Sequence, residues 1–189
     1  MSNPLETAYG ILNHYKKPHT IAHSKAVGDQ ILKLAKRYGL DDAKCEVAAA
    51  LHDISVIIPP DKRLDAAEAW GIPILPEERR FSLLLHQKLS AKIAEEMCGI
   101  TDAEVLSAIQ CHTTLKANAK ELDLLLFIAD KVAWDGQGTP PWAEALEQGL
   151  SRSLRSGALA YIDYILNSGD ILIPHPWLIA ARDDLMPSI

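Results

Sequence analysis

Ionisable side chains lie on the apolar faces of several predicted helices, and this feature constrains the fold more than any other. Asp130 follows Leu126 by four residues, which places a carboxylate on or beside the inner face of an otherwise apolar helix. His23, His86 and His112 also align with apolar stripes at helical spacing. Because an unsatisfied buried polar group costs roughly 1–3 kcal/mol, each of these groups needs a partner inside the fold.

Apolar residues recur at helical spacing along most of the chain, and strand patterns are poor. The pattern predicts one helix that ends at Gly39, a second from 41 or 42 to 51, and a third that opens at a capping box over 101–104. A fourth carries an inward apolar stripe over 122–133. Further helical segments are predicted over 141–168, with a break near Gly157, and over 176–185. Residues 54–76 are predicted to form a loop with a short helix at 66–70, and residues 135–141 form a second loop. The predicted fold is all-α, a single-domain helical bundle over residues 1–189.

The composition limits location and partners. The chain of 189 residues is 48% hydrophobic, carries a formal net charge of −6 and lacks the apolar run of a signal peptide near its start. Its longest apolar stretches, such as residues 124–129, are far shorter than the ~20 residues of a membrane-spanning helix. The acidic balance and three scattered cysteines favour a cytoplasmic protein that binds neither nucleic acid nor membrane. A small anionic ligand would need a local positive centre, from side chains or a metal.

His52 and Asp53 follow the apolar stretch 47–51 and are expected at a buried helix end. Any one of the histidines, taken alone, is more simply a core residue bonded to a backbone carbonyl. Four imidazoles and two carboxylates would be hard to satisfy separately in one small core, and Lys131 should point about 100° away from Asp130 around the helix. A shared divalent metal satisfies all six groups. Imidazole and carboxylate without thiolate favour Fe, Mn, Zn or Co.

Other candidate residues have simpler predicted roles. The remaining histidines are expected at the surface or in a turn, namely His14, His19 and His175. Cys111 is expected to be a small buried hydrophobic residue, and residues 121–123 a solvated helix start. Trp134 lies one turn beyond Asp130 and is expected near the mouth of the pocket.

The ordered set His23, His52-Asp53, His86, His112 and Asp130 resembles the H…HD…H…H…D pattern of HD-domain metal-dependent phosphohydrolases, and more narrowly the YqeK-type branch. The motifs that carry the resemblance are HSKAV at 23–27, AALHDI at 49–54, VLSAIQCHTT at 105–114 and IADK at 128–131. The resemblance covers about residues 15–166, with residues 167–189 as a C-terminal helical extension of a single HD domain. YqeK-type members are symmetrical bis(5′-nucleosyl)-tetraphosphatases, which cut diadenosine tetraphosphate into two ADP and favour iron.

The resemblance implies roles for individual residues of this chain. The implied ligands of the core metal are His23, His52, Asp53 and Asp130. His86 and His112 would either complete a second metal site with Asp53 or bind substrate phosphate, so one or two ions are expected, with iron favoured over Mn, Co or Zn. The implied catalytic residues are Asp53, which would orient a metal-activated water, together with His86 and His112.

Substrate contacts follow the family pattern less closely. The expected contacts are Ser55, Thr113, Lys116 and Lys131, although both lysines would equally suit a solvated surface. The branch usually carries a lysine where this chain has Val56, and a Gly-Arg pair where this chain has Leu115-Lys116. It also usually continues the final aspartate with an acidic-proline-arginine run, whereas this chain has KVAWD at 131–135. Metal chemistry therefore follows from the comparison more firmly than substrate identity.

Three functions from different classes are compatible with these residues, each with a small-molecule nucleotide as ligand. The resemblance implies symmetrical hydrolysis of a dinucleoside tetraphosphate. A nucleoside mono- or diphosphate phosphatase of the same superfamily would instead release orthophosphate. A non-catalytic nucleotide sensor would keep the metal only as an anchor. The sequence does not indicate the oligomeric state.

Overall fold

The computed structural model of the protein describes residues 3–169 and 171–186. Within these residues, eleven α-helices and three 3₁₀ helices form a bundle without strands. The α-helices are α1 (Pro4–His14), α2 (Pro18–Tyr38), α3 (Asp42–Leu51), α4 (Arg63–Ala69), α5 (Pro76–Arg80), α6 (His86–Cys98), α7 (Ala103–Cys111), α8 (Glu121–Val132), α9 (Ala143–Leu150), α10 (Leu154–Ser168) and α11 (Pro176–Leu185). The 3₁₀ helices cover Ile54–Ile57, Pro60–Lys62 and Ser82–Leu85. The all-α prediction is confirmed.

Helix α8 runs through the middle of the bundle and packs against α2, α3, α7 and α10. It is buried almost all round, since every side chain from Leu122 to Ala129 lies in the interior. A helix that is apolar on all faces is typical of such a central position. Asp123 is the exception within this mostly apolar stretch, and the next ionisable side chain, Asp130, lies where α8 meets His23 of α2.

Helix α2 spans 21 residues and presents Val27, Ile31 and Ala35 to the core. It ends at Gly39, whose φ of 74° lies in the left-handed region that glycine adopts without strain. The predicted helix end is confirmed. Because α2 packs against both α3 and α8, a side chain on its inner face can reach residues of both helices.

Three predicted helix boundaries are corrected. Residues 141–168 break at 151–153, where Ser153 caps α10, and Gly157 lies inside that helix. The short helix of the 54–76 segment is α4, which begins at Arg63 rather than at 66. Helix α7 is capped by Asp102, whose carboxylate accepts hydrogen bonds from the Glu104 and Val105 amides, and the predicted capping box is absent among these residues.

A buried charged group ties α11 to α5 and α6. Lys88 Nζ lies 2.8 Å from Glu78 Oε1, and both side chains are almost completely inaccessible to solvent. His175, expected in a turn, is the N-cap of α11. Its ring is buried, its Nδ1 accepts from the Trp177 amide, and its Nε2 lies 3.3 Å from Glu78 Oε1. A buried carboxylate needs such compensation, which explains why His175 points inward.

The helix start at 121–123 also differs from expectation. Asp123 is buried rather than solvated, and it accepts hydrogen bonds from the Ser107 hydroxyl and the Lys120 amide. No helix among the described residues has the length and apolarity needed to cross a membrane.

The contact between α9 and α10 depends on glycine. A Cβ at Gly149 would lie 2.5 Å from the Ser156 carbonyl oxygen and 2.8 Å from the Gly157 Cα, both backbone atoms that cannot move aside. Gly149→Ala should therefore lower the free energy of unfolding by about 1–3 kcal/mol, as overpacking does. Chemical denaturation of the purified variants measures this change.

Gly10→Ala is the matched control, because no atom lies within 4 Å of a Cβ at this position of α1. The same substitution should there raise the free energy of unfolding by about 0.4–1 kcal/mol, since alanine narrows the unfolded ensemble. Equal effects at the two positions would contradict the close approach of α9 and α10.

Candidate metal centre

Six side chains from five parts of the chain meet at one end of the bundle. They are His23 near the start of α2, His52 and Asp53 directly after α3, His86 at the first position of α6, His112 directly after α7, and Asp130 in the last turn of α8. The structure thus brings together every imidazole and carboxylate that the sequence singled out as a metal ligand.

Three of the imidazoles are fixed by the same local hydrogen bond. In each, Nδ1 lies close to the carbonyl oxygen three residues earlier, at 2.8 Å for His52 and Ala49, 2.6 Å for His86 and Leu83, and 2.8 Å for His112 and Ile109. Because a carbonyl oxygen only accepts, Nδ1 must carry the proton in each ring. The Nε2 atoms therefore keep their lone pairs and face the cluster.

The lone pair of His52 has no hydrogen-bond donor among the described residues. Its Nε2 is completely buried, and the nearby polar atoms are Asp53 Oδ2 at 3.5 Å and Asp130 Oδ1 at 3.7 Å. All three atoms are acceptors, so they repel one another unless a cation lies between them. This unsatisfied nitrogen is the clearest sign that the residues fit a metal ion.

Four candidate ligand atoms form a ring whose edges suit a metal site, and those of His23, His52 and Asp130 all lie within 4.8 Å of one another. Its edges are 3.0 Å from His23 Nε2 to Asp130 Oδ1, 3.7 Å from Asp130 Oδ1 to His52 Nε2, 3.5 Å from His52 Nε2 to Asp53 Oδ2, and 4.0 Å from Asp53 Oδ2 to His23 Nε2. Ligand atoms about 2.1 Å from one ion lie roughly 3–4.2 Å from each other. All four edges fall within this range.

The second oxygen of Asp53 belongs to another group of atoms. Asp53 Oδ1 lies 3.5 Å from His86 Nε2 and 3.4 Å from His112 Nε2, and these two nitrogens are 3.0 Å apart. The Thr113 hydroxyl, 3.0 Å from His86 Nε2, can donate to that nitrogen. Asp53 therefore faces both groups, one with each oxygen, as a carboxylate that bridges two ions would.

Local electrostatics set the protonation states that metal binding requires. Burial would raise the pKa of Asp53, but the surrounding imidazoles, led by His52, hold it well below its usual range. Burial, together with the neighbouring His112, lowers the pKa of His86 to about 4. The carboxylate is thus ionised and the imidazole neutral at neutral pH, which is the state of each that coordinates a metal.

Three helices end at the cluster. His52 and His112 are the residues at the C-termini of α3 and α7, and Asp130 lies in the last turn of α8. The C-terminus of a helix carries a partial negative charge, which favours a cation within about one turn. The backbone therefore reinforces the preference of the side chains.

Helical geometry predicted that Lys131 points away from Asp130, and this prediction is wrong. Its side chain folds back, so that Nζ lies 2.5 Å from Asp130 Oδ2 and donates to the His112 carbonyl oxygen at 3.3 Å. Burial would lower the pKa of Lys131, but Asp130 raises it above the ordinary value, so the ammonium stays charged. The flexible four-carbon stem of lysine makes this return possible.

The other predicted substrate contacts divide into two groups. Thr113 lies at the cluster beside His86. Ser55 is completely buried and donates to the His86 carbonyl oxygen, so it holds the start of α6 and offers no surface to a substrate. Lys116 contacts Ser107 and Asp123 instead of the cluster. The structure therefore does not support substrate contacts by Ser55 or Lys116.

A cavity of about 290 Å³, here called the Trp134 cavity, opens directly above the cluster. Its walls include the predicted ligands His23, Asp53 and Asp130, together with His19, Thr20, Lys131, Trp134, Asp135, Trp142 and Tyr161. Trp134, expected near the mouth of the pocket, lines this cavity. His19 is 80% exposed as expected, but its Nε2 lies 3.5 Å from Asp135 Oδ2 at the cavity rim.

Sequence reasoning missed three residues that shape this site. Trp142 and Tyr161 lie far along the chain and carry no local motif, although Trp142 follows the predicted loop. Gln87 is buried next to His86, and its amide oxygen accepts from the Thr113 backbone at 3.1 Å. The sequence signal for Gln87 was its position directly after the predicted ligand His86, because a buried amide there needs hydrogen-bond partners near the site.

A larger cavity of about 880 Å³ lies elsewhere, between the N-terminal parts of α3, α7, α8 and α10. It is lined by charges of both signs, including Lys44, Glu104 and Arg155, and by none of the six clustered residues. Size alone therefore does not identify the chemical site here.

Known proteins share this sequence pattern and fold. The sequence profile of the HD domain matches residues 20–135. A relative from Lactococcus lactis subsp. cremoris, named as an uncharacterized protein in the pepC 5′ region, is 51% identical over 139 residues, which cover 74% of this chain and 71% of the relative. The symmetrical bis(5′-nucleosyl)-tetraphosphatase of Bacillus subtilis (strain 168) is 26% identical over 129 residues, which cover 67% and 68% of the two chains.

A solved structure extends the similarity to the whole fold. It comes from Clostridium acetobutylicum, is described as a predicted HD superfamily hydrolase involved in NAD metabolism, and matches 95% of both chains with a TM-score of 0.83 at 27% identity. All six clustered residues lie within the segment 20–135. The chain therefore belongs to the HD-domain family of phosphohydrolases.

Proposed function

We propose that the protein hydrolyses dinucleoside tetraphosphates symmetrically to two nucleoside diphosphates and requires a divalent metal. The observation that carries this proposal is the buried, unpaired Nε2 of His52 within a cluster of acceptors at the floor of the Trp134 cavity. Such a cluster suits a cation, and an acidic protein can bind polyphosphate through a cation. The names of the relatives support the choice of a dinucleoside tetraphosphate.

The proposed ligands of a first ion are His23, His52, Asp53 and Asp130, and those of a second ion are Asp53, His86 and His112. Bound divalent metal supplies Lewis-acid activation of water and neutralises phosphoryl charge. The donor set contains imidazole and carboxylate but no thiolate, since Cys111 is buried and burial raises the pKa of its thiol. We infer iron as the native metal, a choice that nitrogen and oxygen donors suit.

The protein residues provide positioning and charge. Asp53 lies between the two groups of donors and would orient the attacking water toward phosphorus. Thr113 beside His86 would donate its hydroxyl to a phosphoryl oxygen. Lys131 has three N–H donors, of which Asp130 and His112 occupy two, so the third can meet a phosphate in the Trp134 cavity. Fixed donors of this kind stabilise developing charge without reorganisation.

The products identify the reaction. Protein purified without oxygen, with its metal content measured, should convert diadenosine tetraphosphate into ADP alone, as chromatography of the reaction mixture would show. AMP with ATP would indicate asymmetric cleavage and contradict the proposal. Orthophosphate released from nucleoside mono- or diphosphates, with the tetraphosphate untouched, would establish the alternative phosphatase. Tight metal-dependent ADP binding with no turnover would establish the sensor.

Removal of one proposed ligand should remove both metal and turnover. His52→Ala deletes the unpaired nitrogen, and metal affinity should fall more than about 100-fold, since even residues that only support ligands contribute 10–100-fold. Metal per chain and the rise of Tm with added metal measure the loss. His14→Ala, on the exposed surface of α1, is the control and should keep both properties. Full metal content in His52→Ala would refute the assignment.

Lys131 neutralises Asp130 when metal is absent, so its removal should matter most in the metal-free protein. In Lys131→Met, the buried carboxylate of Asp130 loses its cation, which lowers the stability of the metal-free state. Added metal should then raise Tm by more in the variant than in the wild type, because binding restores the missing charge. Thermal unfolding with and without metal tests this difference.

Lys92→Met is the matched control for Lys131. Lys92 pairs only with Glu95 and Glu96 on the surface of α6, and such pairs contribute about 0–1 kcal/mol. The rise of Tm with metal should equal that of the wild type. An equal rise in Lys131→Met would show that Lys131 does not compensate Asp130.

A further inference from the structure

A second cavity, here called the Leu84 cavity, lies beside the metal centre. Its volume is about 250 Å³, and its walls include Phe81, Leu84, Thr113, Tyr161, Leu172 and Leu178. Most of its lining is apolar, and none of the described residues that line it is Lys, Arg, Asp or Glu. Such a pocket is unsuited to phosphate, which needs cationic or donor groups, and suited to a neutral ring system.

Two residues connect the Leu84 cavity to the metal centre and to the Trp134 cavity. Thr113 lies in the wall of the Leu84 cavity, and its hydroxyl is 3.0 Å from His86 Nε2 in the cluster. Tyr161 lies in the walls of both cavities. The Trp134 cavity therefore borders the cluster directly, and the Leu84 cavity borders it through Thr113.

The combined volume of the two cavities is sufficient for a ligand that occupies both. Small-molecule sites measure roughly 300–1,000 Å³. The Trp134 cavity, at about 290 Å³, and the Leu84 cavity, at about 250 Å³, each fall below that range, whereas the two together fall inside it. A molecule with two ring systems joined by a chain of phosphates has this shape, with its anionic centre at the metal and its rings at either end.

We propose that the Leu84 cavity binds the second nucleoside of the dinucleoside tetraphosphate, while the Trp134 cavity binds the first. This inference rests on the proposed function and adds a specificity site to it. Phe81 offers a ring on which a base can stack, and Leu84, Leu172 and Leu178 offer apolar surface. Binding energy from both ends of the substrate would place its central phosphates at Asp53 and favour dinucleotides over mononucleotides.

A pair of ligands that differ only in the second nucleoside tests the proposal. Both carry a methylene group in place of the oxygen between the second and third phosphates; one is this analogue of diadenosine tetraphosphate, and the other is the same analogue of adenosine 5′-tetraphosphate. Calorimetry with the metal-loaded wild type should give at least about tenfold tighter binding of the dinucleoside ligand, in line with the value of stacking one base. Equal affinities would overturn the proposal.

Filling the Leu84 cavity should remove this preference. Leu84→Trp should weaken the dinucleoside ligand about tenfold and leave adenosine tetraphosphate within about twofold, because the Trp134 cavity remains available. Leu172→Ala provides a second variant that cannot disturb the core, since Leu172 is 79% exposed. It should weaken the dinucleoside ligand alone. Equal weakening of both ligands by Leu84→Trp, or no effect of either variant, would overturn the proposal.

Ile179→Ala is the control, because Ile179 is an exposed apolar residue of α11 outside the lining of both cavities. It should change neither affinity. Product analysis separates the two proposals. If the wild type forms ADP but binds both ligands with equal affinity, the proposed reaction is supported and the second nucleoside site is rejected. The binding preference without ADP formation would support the second site and reject the reaction.

Discussion

The structure depends on the fixed direction of three imidazole lone pairs. His52, His86 and His112 each donate Nδ1–H to the carbonyl three residues earlier, so that Nε2 faces inward toward the carboxylates. His52 Nε2 faces two carboxylate oxygens at 3.5–3.7 Å without a donor, which is unfavourable, and a cation converts this repulsion into attraction. The same local hydrogen bond thus recurs at three positions, and together they create one site that is stabilised by a cation.

The ends of the helices hold the ligands of this site in place. Two of the three imidazoles follow the last residue of an α-helix and the third follows a 3₁₀ helix. The carbonyl three positions back is still oriented by helical geometry, so one residue supplies both the ligand and its orientation. Asp130 is held from two sides, by His23 on one oxygen and by Lys131 on the other. Lys131 also links α8 to the end of α7, and Trp142 donates to its carbonyl oxygen. The site is therefore assembled from helix ends that are themselves tied together.

Much of this could be predicted from the sequence. Helical periodicity predicted the all-α fold and the ends of α2 and α3, and the ionisable residues on apolar faces predicted which six side chains converge. Apart from the helix boundaries, the errors for Lys131, Asp123 and His175 share one physical origin, because each involves a side chain whose partner is distant in sequence or reached by a flexible stem. Periodicity describes the direction of Cβ, so it could not foresee that Lys131 returns to Asp130. It likewise could not foresee that His175 turns inward to a carboxylate 97 residues earlier in the chain.

The buried contact between His175 and Glu78 shows that the packed structure continues beyond the segment that matches the family. The HD-domain match stops at residue 135, yet the apolar core continues through Leu150, Ile162 and Leu185 of α9, α10 and α11. A fragment cut at the family boundary would expose a wide apolar strip and leave the carboxylate of Glu78 without its imidazole neighbour. In this chain the segment that matches the family is therefore shorter than the packed core, and α11 contributes buried side chains to that core.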